Sequence, residues 1–293
     1  MTIQQAWPMK ILVNNTGFIE NSALVCSHLL IMRDGVPSHA PSDGESVSNI
    51  TIANTRFART KEEWFGRAWY AGGLMVFAVD MPPTAELNVL LDHVIFEDLN
   101  AGSLMGLMYY FNRRDVNPST FRAVGTRFVN NKANGGISFL GGWVETFEHS
   151  VAFALGYESA DAPKVTELVQ LTMESCGAEE GLGSRGEGTL SVGHGAVSTR
   201  VIDSTFKSNR AAQGSAIAFY ASGVLHIERC SFISNVATVQ GGAILLAGTG
   251  THLFRDSLFY ANAVHAPEGT EAPYTVSVHT GITGAGTLVS AVW

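Results

Sequence analysis

Short runs in which apolar and polar residues alternate recur along the chain, and each ends at a phenylalanine. The segments VIDSTF, HIERCSF and LFRDSLF, for example, end at Phe206, Phe232 and Phe259. Alternation with a period of two predicts a β-strand with one buried face. A Gly turn and a continuous apolar run such as AILLA, AIAFY or ISFLG come next. These runs predict further strands, and no long helical periodicity separates them, so the pattern favours an all-β fold.

The same frame can be placed at eight positions of the chain. The eight positions are Phe18, Phe57, Phe96, Phe128, Cys176, Phe206, Phe232 and Phe259. Asn stands three residues after five of them, at Asn21, Asn131, Asn209, Asn235 and Asn262. Asn tolerates a left-handed backbone and can bond within its own turn. We therefore predict that each of these asparagines forms a structural corner between two strands.

A single repeat of this kind cannot bury its apolar face, but stacked repeats can. Stacking places Phe on Phe inside the rod and Asn on Asn at the corner, at the usual strand spacing. The predicted fold is a single-stranded, right-handed parallel β-helix of about eight to nine coils. We treat residues 1–293 as one β-helix domain and as a fragment of a longer chain, with loop-decorated coils over 1–165 and regular coils over 166–293.

The segments FKSNRAAQGSAI and FISNVATVQGGAI resemble the FxxN and GGA-[ILV] repeats of chlamydial polymorphic outer membrane proteins. The segment FVNNKANGGISF resembles them in part. The resemblance implies a right-handed β-helix of the pectin-lyase-like type that is extracellular or displayed at a cell surface. It also implies a scaffold or adhesion module that binds a glycan or a protein. Such a repeat specifies the architecture more closely than the activity.

Extra residues in the longer repeats fall mainly in the N-terminal half, at 32–48, 80–86, 112–119 and 143–164. Insertions at one repeat position emerge on one face of a solenoid, which is often its binding face. Aromatic rings beside arginines suit a sugar or peptide surface, so we take Arg113, Arg114, Trp143 and Tyr157 as candidate ligand contacts. The alternative is that these aromatic side chains pack the loops onto the rod.

Composition and local sequence argue against several classes of partner and of targeting segment. The net charge is −8 and only 15% of residues are charged, so nucleic acid is not an expected partner. No apolar run is long enough for a transmembrane helix, and the N-terminus lacks the pattern of a secretory signal. Three cysteines do not make a disulfide framework. The apolar C-terminal pattern TGAGTLVSAVW suggests end-to-end association or continuation in a longer chain.

Catalytic chemistry is the alternative class of function. The segment SVGHGAVS, which contains His194, resembles the Gly-His-Gly segment of polygalacturonases, but it lacks the clustered Asp residues that such hydrolysis needs. We assign no catalytic residue, no metal site and no cofactor, and we keep a polysaccharide lyase or glycoside hydrolase as the alternative. A site for it would lie in the N-terminal loop wall. Cys176 and Cys230 are interpreted as small apolar fillers of stacked strands.

Overall fold

The computed structural model describes residues 1–4, 9–21, 28–33, 47–60, 73–78, 86–101, 108–112, 119–133, 153–155, 164–177, 189–193, 195–265, 276–278 and 288–292. In this part of the chain all regular elements are β-strands and every strand pair is parallel. No helix in it is long and apolar enough to cross a lipid bilayer.

Longer strands, which we call the long row, form one side of the rod. In order they are Lys10–Asn14, Val47–Ala53, Glu86–Asp92, Ser119–Val124, Val165–Val169, Ser198–Ile202, Val224–Glu228 and the first half of His252–Tyr260. Leu288–Val292 pairs with this last strand. Buried and more exposed residues alternate along the long row, as in Val47–Ala53. Alternation therefore separates a core face from an outer face, as the sequence pattern predicts.

Shorter strands that carry the phenylalanines form the Phe row. They are Gly17–Asn21, Arg56–Thr60, Ile95–Glu97, Arg127–Val129, Thr172–Glu174, Thr205–Lys207, Ser231–Ile233 and the second half of His252–Tyr260. Because His252–Tyr260 runs through both rows, they belong to one 16-stranded sheet. In every coil two residues separate the long strand from the Phe strand until this last strand joins them.

A nine-stranded back sheet closes the rod. Its strands are Thr2–Gln4, Leu29–Arg33, Leu74–Ala78, Met108–Asn112, Phe153–Leu155, Leu190–Val192, Ile217–Phe219, Ile244–Leu246 and Val276–Val278. Two small sheets lie between the Phe row and the back sheet: Asn100–Ala101 with Lys132–Ala133, and Arg210–Gln213 with Val236–Gln240 and Ala263–Val264. The chain passes through these layers in the same order coil after coil, which confirms the prediction of a parallel β-helix.

The Phe positions stack inside the rod. Ring centroids lie 5.0 Å apart for Phe18 and Phe57, 4.9 Å for Phe57 and Phe96, and 4.6 Å for Phe96 and Phe128, with the rings nearly parallel. The stack resumes from Phe206 through Phe232 to Phe259. These rings are fully or almost fully buried from Phe57 onward. Burying each ring stabilises the rod by roughly 1.5–3 kcal/mol.

Placing Cys176 at a Phe position is wrong. The residue in register with Phe128 and Phe206 is Met173, which is fully buried between them. A flexible thioether fills the same space as a ring, so the core tolerates the exchange. The alternating pattern around Met173 lacks an aromatic residue. The sequence therefore contains no marker for the Phe position, and the assignment fell three residues too late.

Each coil turns twice through a residue with a left-handed backbone. The first set, three residues before the Phe position, is Asn15, Asn54, His93, Gly125, Gln170, Asp203, Arg229 and Asp256. The second set, two residues after it, is Glu20, Arg59, Asp98, Asn130, Ser175, Ser208, Ser234 and Ala261. Most of these residues carry a Cβ, so the stacking of coils holds a conformation that L-residues disfavour on their own.

The connections that lead into the back-sheet strands and those that lead out of them both vary in length from coil to coil. The prediction that 143–164 is a single insertion is wrong. The back-sheet strand Phe153–Leu155 lies inside that segment, paired with Met108–Tyr110 on one side and Leu190–Val192 on the other. The apolar run ISFLG, at 137–141, which the sequence frame takes as a strand, lies outside the described residues. Trp143 precedes that strand and Tyr157 follows it, so the two residues belong to different connections.

Candidate functional site

The asparagines that follow the Phe position lie inside the rod at its corner. Asn131, Asn209 and Asn235 are each at most 1% exposed, and Asn262 is half-buried. The residues next to them pair in register from coil to coil. Burying a primary amide is unfavourable unless its donors and acceptor are bonded, so the contacts of these side chains decide their role.

Both polar atoms of the Asn235 side chain, Nδ2 and Oδ1, are hydrogen-bonded. Its Nδ2 donates to the carbonyl oxygen of Phe206 at 3.0 Å and to Oδ1 of Asn262 at 2.9 Å. Its Oδ1 accepts from the backbone N–H of Asn209 at 3.1 Å and from Nδ2 of Asn209 at 3.0 Å. Asn209 and Asn262 donate to the Phe-position carbonyls of Met173 and Phe232 in the same way. Each amide thus joins its own coil to the coil before it.

The physical reason predicted for these asparagines needs correction. The left-handed residues are the neighbours Asn130, Ser208 and Ser234, and the ladder asparagines themselves are not left-handed. The amides bond across coils and not within their own turn. Asn21 lies at the equivalent position but is exposed, and its Nδ2 lies 3.0 Å from Nδ1 of His28 instead.

Cys176 occupies the ladder position between Asn131 and Asn209. Its backbone N–H donates to Oδ1 of Asn209 at 3.0 Å, while Nδ2 of Asn131 lies 3.8 Å from its Sγ. Burial raises the pKa of the Cys176 thiol to about 12 and that of Cys230 to about 11. Thiols that stay protonated are poor nucleophiles and poor metal ligands, so both serve the packing of the rod.

A second ladder, which the sequence analysis missed, lies at the other corner of the Phe row. Hydroxyl groups two residues before the Phe position donate to the carbonyl two residues further back, at Thr55, Thr126, Ser204 and Ser257. Ser204 and Ser257 also accept the backbone N–H of Leu171 and Cys230 in the preceding coil. The recurrence of Ser or Thr at this place was the available signal.

The four candidate ligand contacts, Arg113, Arg114, Trp143 and Tyr157, lie outside the described residues, and so does His194. In sequence, the back-sheet strand Met108–Asn112 comes immediately before Arg113, and the long-row strand Ser119–Val124 begins five residues after Arg114. The outer face of the long row, in contrast, lies within the described residues.

In the first four coils this outer face carries amides, hydroxyls and aliphatic side chains, together with the charged residues Lys10, Glu86, Asp92 and Arg122. Lys10, Asn49, Asn88 and Thr120 follow one another in register. Thr120 Oγ1 donates to Oδ1 of Asn88 at 2.5 Å, and Nδ2 of Asn88 donates to Oδ1 of Asn49 at 3.2 Å. At the nearby corner Nδ2 of Asn54 donates to Oδ1 of Asn14 at 3.2 Å. We use the name amide face for the side chains of Leu12, Asn14, Asn49, Asn54, Asn88 and Thr120.

From the fourth coil onward, charged side chains on the same outer face pair with each other. Glu167 accepts from Arg122 at 2.9 Å and from Arg200 at 3.4 Å. At the corner, Arg229 bridges to both oxygens of Asp203 and contacts Glu228. A hydrogen bond from Arg229 lowers the pKa of Asp203, and the same contact raises the pKa of Arg229. This carboxylate therefore stays ionised and is a weakened base, and this guanidinium stays protonated and is a weakened acid.

Acid–base catalysis needs convergent groups in a cleft, and the described carboxylates do not meet that need. Glu97, Glu167, Glu174 and Asp203 lie on the open sheet face, each paired with an Arg or Lys side chain. Within the described residues no three His, Cys, Asp or Glu side chains come close enough to hold a metal ion. The described outer face thus offers hydrogen bonding and charge, which suits binding.

One corner of this face combines an acid with an imidazole. His93 Nδ1 lies 2.7 Å from Oδ1 of Asp92. A Cβ added to Gly125, in the next coil, would lie 2.9 Å from the His93 ring, so a larger residue there would require the exposed ring to shift. Gly125 also has a left-handed φ of 58°, which glycine adopts without strain. The pair extends the polar surface of the amide face at its edge.

Comparison with known families gives one match. Residues 229–247 are similar to the Chlamydia polymorphic membrane protein repeat. The matched stretch covers the Phe232 strand, the ladder residue Asn235, the glycine pair and the back-sheet strand Ile244–Leu246, which together form most of one coil. The chain therefore carries a repeat of this type. No curated protein matches the chain, and no solved structure does.

Proposed function

We propose that this protein is an extracellular or cell-surface β-helix scaffold that acts as an adhesion module and binds a glycan or a protein partner. The observation that carries the proposal is the match of residues 229–247 to a repeat of membrane proteins, in the coil whose ladders are most complete. The proposal includes the right-handed, pectin-lyase-like form of the helix.

The division of roles along the rod supports binding by the N-terminal half. In the later coils the outer charges are paired with one another and the inner amides are bonded. In the first four coils the amide face keeps hydrogen-bonding groups exposed to solvent. A rigid scaffold with exposed polar groups and variable connections is a common arrangement for recognition.

Binding by the whole chain tests the proposal. The purified protein is applied to cells, to arrays of glycans and to arrays of extracellular proteins, and reducing-end release from polysaccharides is read in parallel. Saturable attachment without sugar release supports an adhesion module. Release of reducing ends would establish the alternative, a lyase or hydrolase, and the absence of any saturable attachment would overturn the proposal.

Four substitutions then address the candidate contacts. Arg113→Ala, Arg114→Ala, Trp143→Ala and Tyr157→Ala are compared with Arg255→Ala, an exposed residue of the regular coils. We expect weaker attachment for at least one of the four at an unchanged melting temperature. End-to-end association of chains belongs to the same proposal, and light scattering over a range of concentrations measures it.

A further inference from the structure

We propose that the amide face of the first four coils binds a neutral oligosaccharide that lies along the axis of the rod. This inference rests on the proposed function and names the class of ligand and the surface that takes it. The residues that carry it are Leu12, Asn14, Asn49, Asn54, Asn88 and Thr120.

The hydrogen bonds of the amide face have a direction. Thr120 donates to Asn88, Asn88 donates to Asn49, and Asn54 donates to Asn14, so both chains of bonds run toward the first coil. Within the described part of the chain, the side-chain N–H groups of Asn49 and Asn14 donate to no protein acceptor. Bonds arranged in series polarise one another, which makes the terminal N–H groups better donors. These two exposed amides therefore present donors to hydroxyl and ring oxygens.

The spacing of the amide face fits a repeating ligand. Asn49, Asn88 and Thr120 stand on successive coils, one strand spacing of roughly 4.8 Å apart. One residue of an extended, equatorially linked oligosaccharide has about the same length as one such step. A saccharide parallel to the rod axis therefore meets an equivalent polar group at each sugar. A saccharide lying along one strand would meet only one coil.

The charge and shape of the surface select against other ligands. Leu12 is 70% exposed, and Thr51 and Leu90 follow it in register between the two chains of amides. This strip offers apolar contact to the C–H faces of sugar rings. Lys10 and Arg122 on this face are balanced by Glu86 and Asp92, and Arg122 pairs with Glu167, so the surface has no excess of positive charge that would attract a polyanion. The scarcity of large apolar side chains also disfavours a protein partner, whose interface would have an apolar centre.

Two substitutions remove the donors without changing side-chain size. Asn49→Asp and Asn14→Asp replace the terminal amides by carboxylates, which accept but do not donate. Ser198→Ala is the matched control, because Ser198 lies in the same column of the outer face two coils beyond Thr120. Binding of the full-length protein to linear neutral tetrasaccharides, namely β-1,4-glucan, β-1,4-mannan and N-acetyllactosamine repeats, is measured by titration calorimetry. Sulfated and sialylated oligosaccharides serve as comparators.

We expect at least one neutral tetrasaccharide to bind, with a roughly three- to tenfold loss of affinity for each Asp variant, as for one lost hydrogen bond. Ser198→Ala and the parent should bind alike, and all variants should keep the parental melting temperature. Binding of anionic oligosaccharides alone, equal losses in Ser198→Ala, or full affinity in both Asp variants would overturn the inference. A protein that attaches to a protein partner but to no saccharide would also overturn it, while leaving the proposed function standing.

Discussion

The coils at the two ends of the rod fill the same corner in different ways. In the coils of Phe57 and Phe96 the ladder position holds Thr60 and Leu99, and the Phe stack is continuous on both sides. In the later coils Asn209, Asn235 and Asn262 bond in series at that position. The same backbone path therefore accepts either a buried apolar residue such as Leu99 or a hydrogen-bonded amide at the ladder position, and the Phe stack runs beside both.

The outer face of the long row also differs between the first coils and the later coils. The first coils leave amides with unused donors outside, whereas the later coils cover the same face with ion pairs between neighbouring coils. Polar groups of this face thus pair between coils in the C-terminal half, whereas in the N-terminal half amides remain exposed, and we propose that these serve recognition. The comparison predicts which substitutions will damage stability in each half.

The largest effect is expected where the early coils depend on the stack. Phe96→Ala removes a fully buried ring that packs on Phe57 and Phe128, and we expect a loss of about 4 kcal/mol in the free energy of unfolding. Phe18→Ala is the control, because Phe18 is half-buried and stacks on Phe57 alone among the described rings. Urea unfolding followed by circular dichroism measures both, and equal losses would contradict the dependence on two-sided stacking.

The amide ladder is the next test. Asn235→Ala leaves the Phe206 carbonyl and the amides of Asn209 without their partner, so we expect a loss of about 3 kcal/mol. Asn21→Ala, at the exposed equivalent position, should lose less than about 1 kcal/mol. A melting temperature of Asn235→Ala equal to that of the parent would exclude the ladder as a source of stability.

Completing the ladder should have the opposite sign. Cys176→Asn places an amide between Asn131 and Asn209, where the sulfur now lies 3.8 Å from Nδ2 of Asn131 and donates to the carbonyl oxygen of Glu174 at 3.4 Å. We expect a gain of about 1 kcal/mol from the added bonds. Cys176→Ala, which removes the sulfur without adding a partner, separates this gain from the loss of the thiol. A destabilised Cys176→Asn variant would show that the corner in this coil is too tight for an amide.

The buried His252 predicts how stability depends on pH. It is 3% exposed, packs edge-on against Phe219 and follows Leu225 in register, and burial lowers its pKa below the usual 6.5. Neither ring nitrogen has a hydrogen-bond partner in the described residues. The unfolded chain then binds a proton that the folded chain excludes. This contribution to stability is complete above the unfolded pKa and is lost as the pH falls below it toward the folded pKa.

Urea midpoints at about pH 7.5 and about pH 5 measure this dependence, and His252→Leu should reduce the difference between them. Burial also lowers the pKa of His28, to about 4, so part of the dependence should remain in the variant. An unchanged difference between the two midpoints would contradict the assignment to His252.

The smallest effect is expected on the outer face of the later coils. Glu167→Gln removes two exposed ion pairs, with Arg122 and Arg200, and should change stability by less than about 1 kcal/mol. The change should shrink further in high salt, which screens such pairs in the parent. A larger, salt-independent loss would contradict this view and would mean that Glu167 is needed for the strand to hold its place in the sheet.

Several features of the fold could be predicted from the sequence because they repeat. The Phe positions and the later asparagines recur in one frame, and equivalent positions of a solenoid must stack. The Met173 coil was misplaced because its frame lacks the aromatic residue. The strand Phe153–Leu155 was missed because ISFLG is equally apolar and lies nearer to the preceding corner. A pattern of apolar residues cannot decide between two such runs without a pairing partner.

The sequence by itself therefore determined the parallel β-helix and the stacked phenylalanines, since these follow from local alternation and repetition. The tertiary structure decided which residue of each corner takes the left-handed backbone, that Asn235 bonds across coils, and that Asn88 and Asn49 lie outside in series. These outcomes depend on contacts between residues 26 to 39 positions apart. Such contacts exist only once the register of neighbouring coils is fixed, and connections of varying length hide that register from the linear sequence.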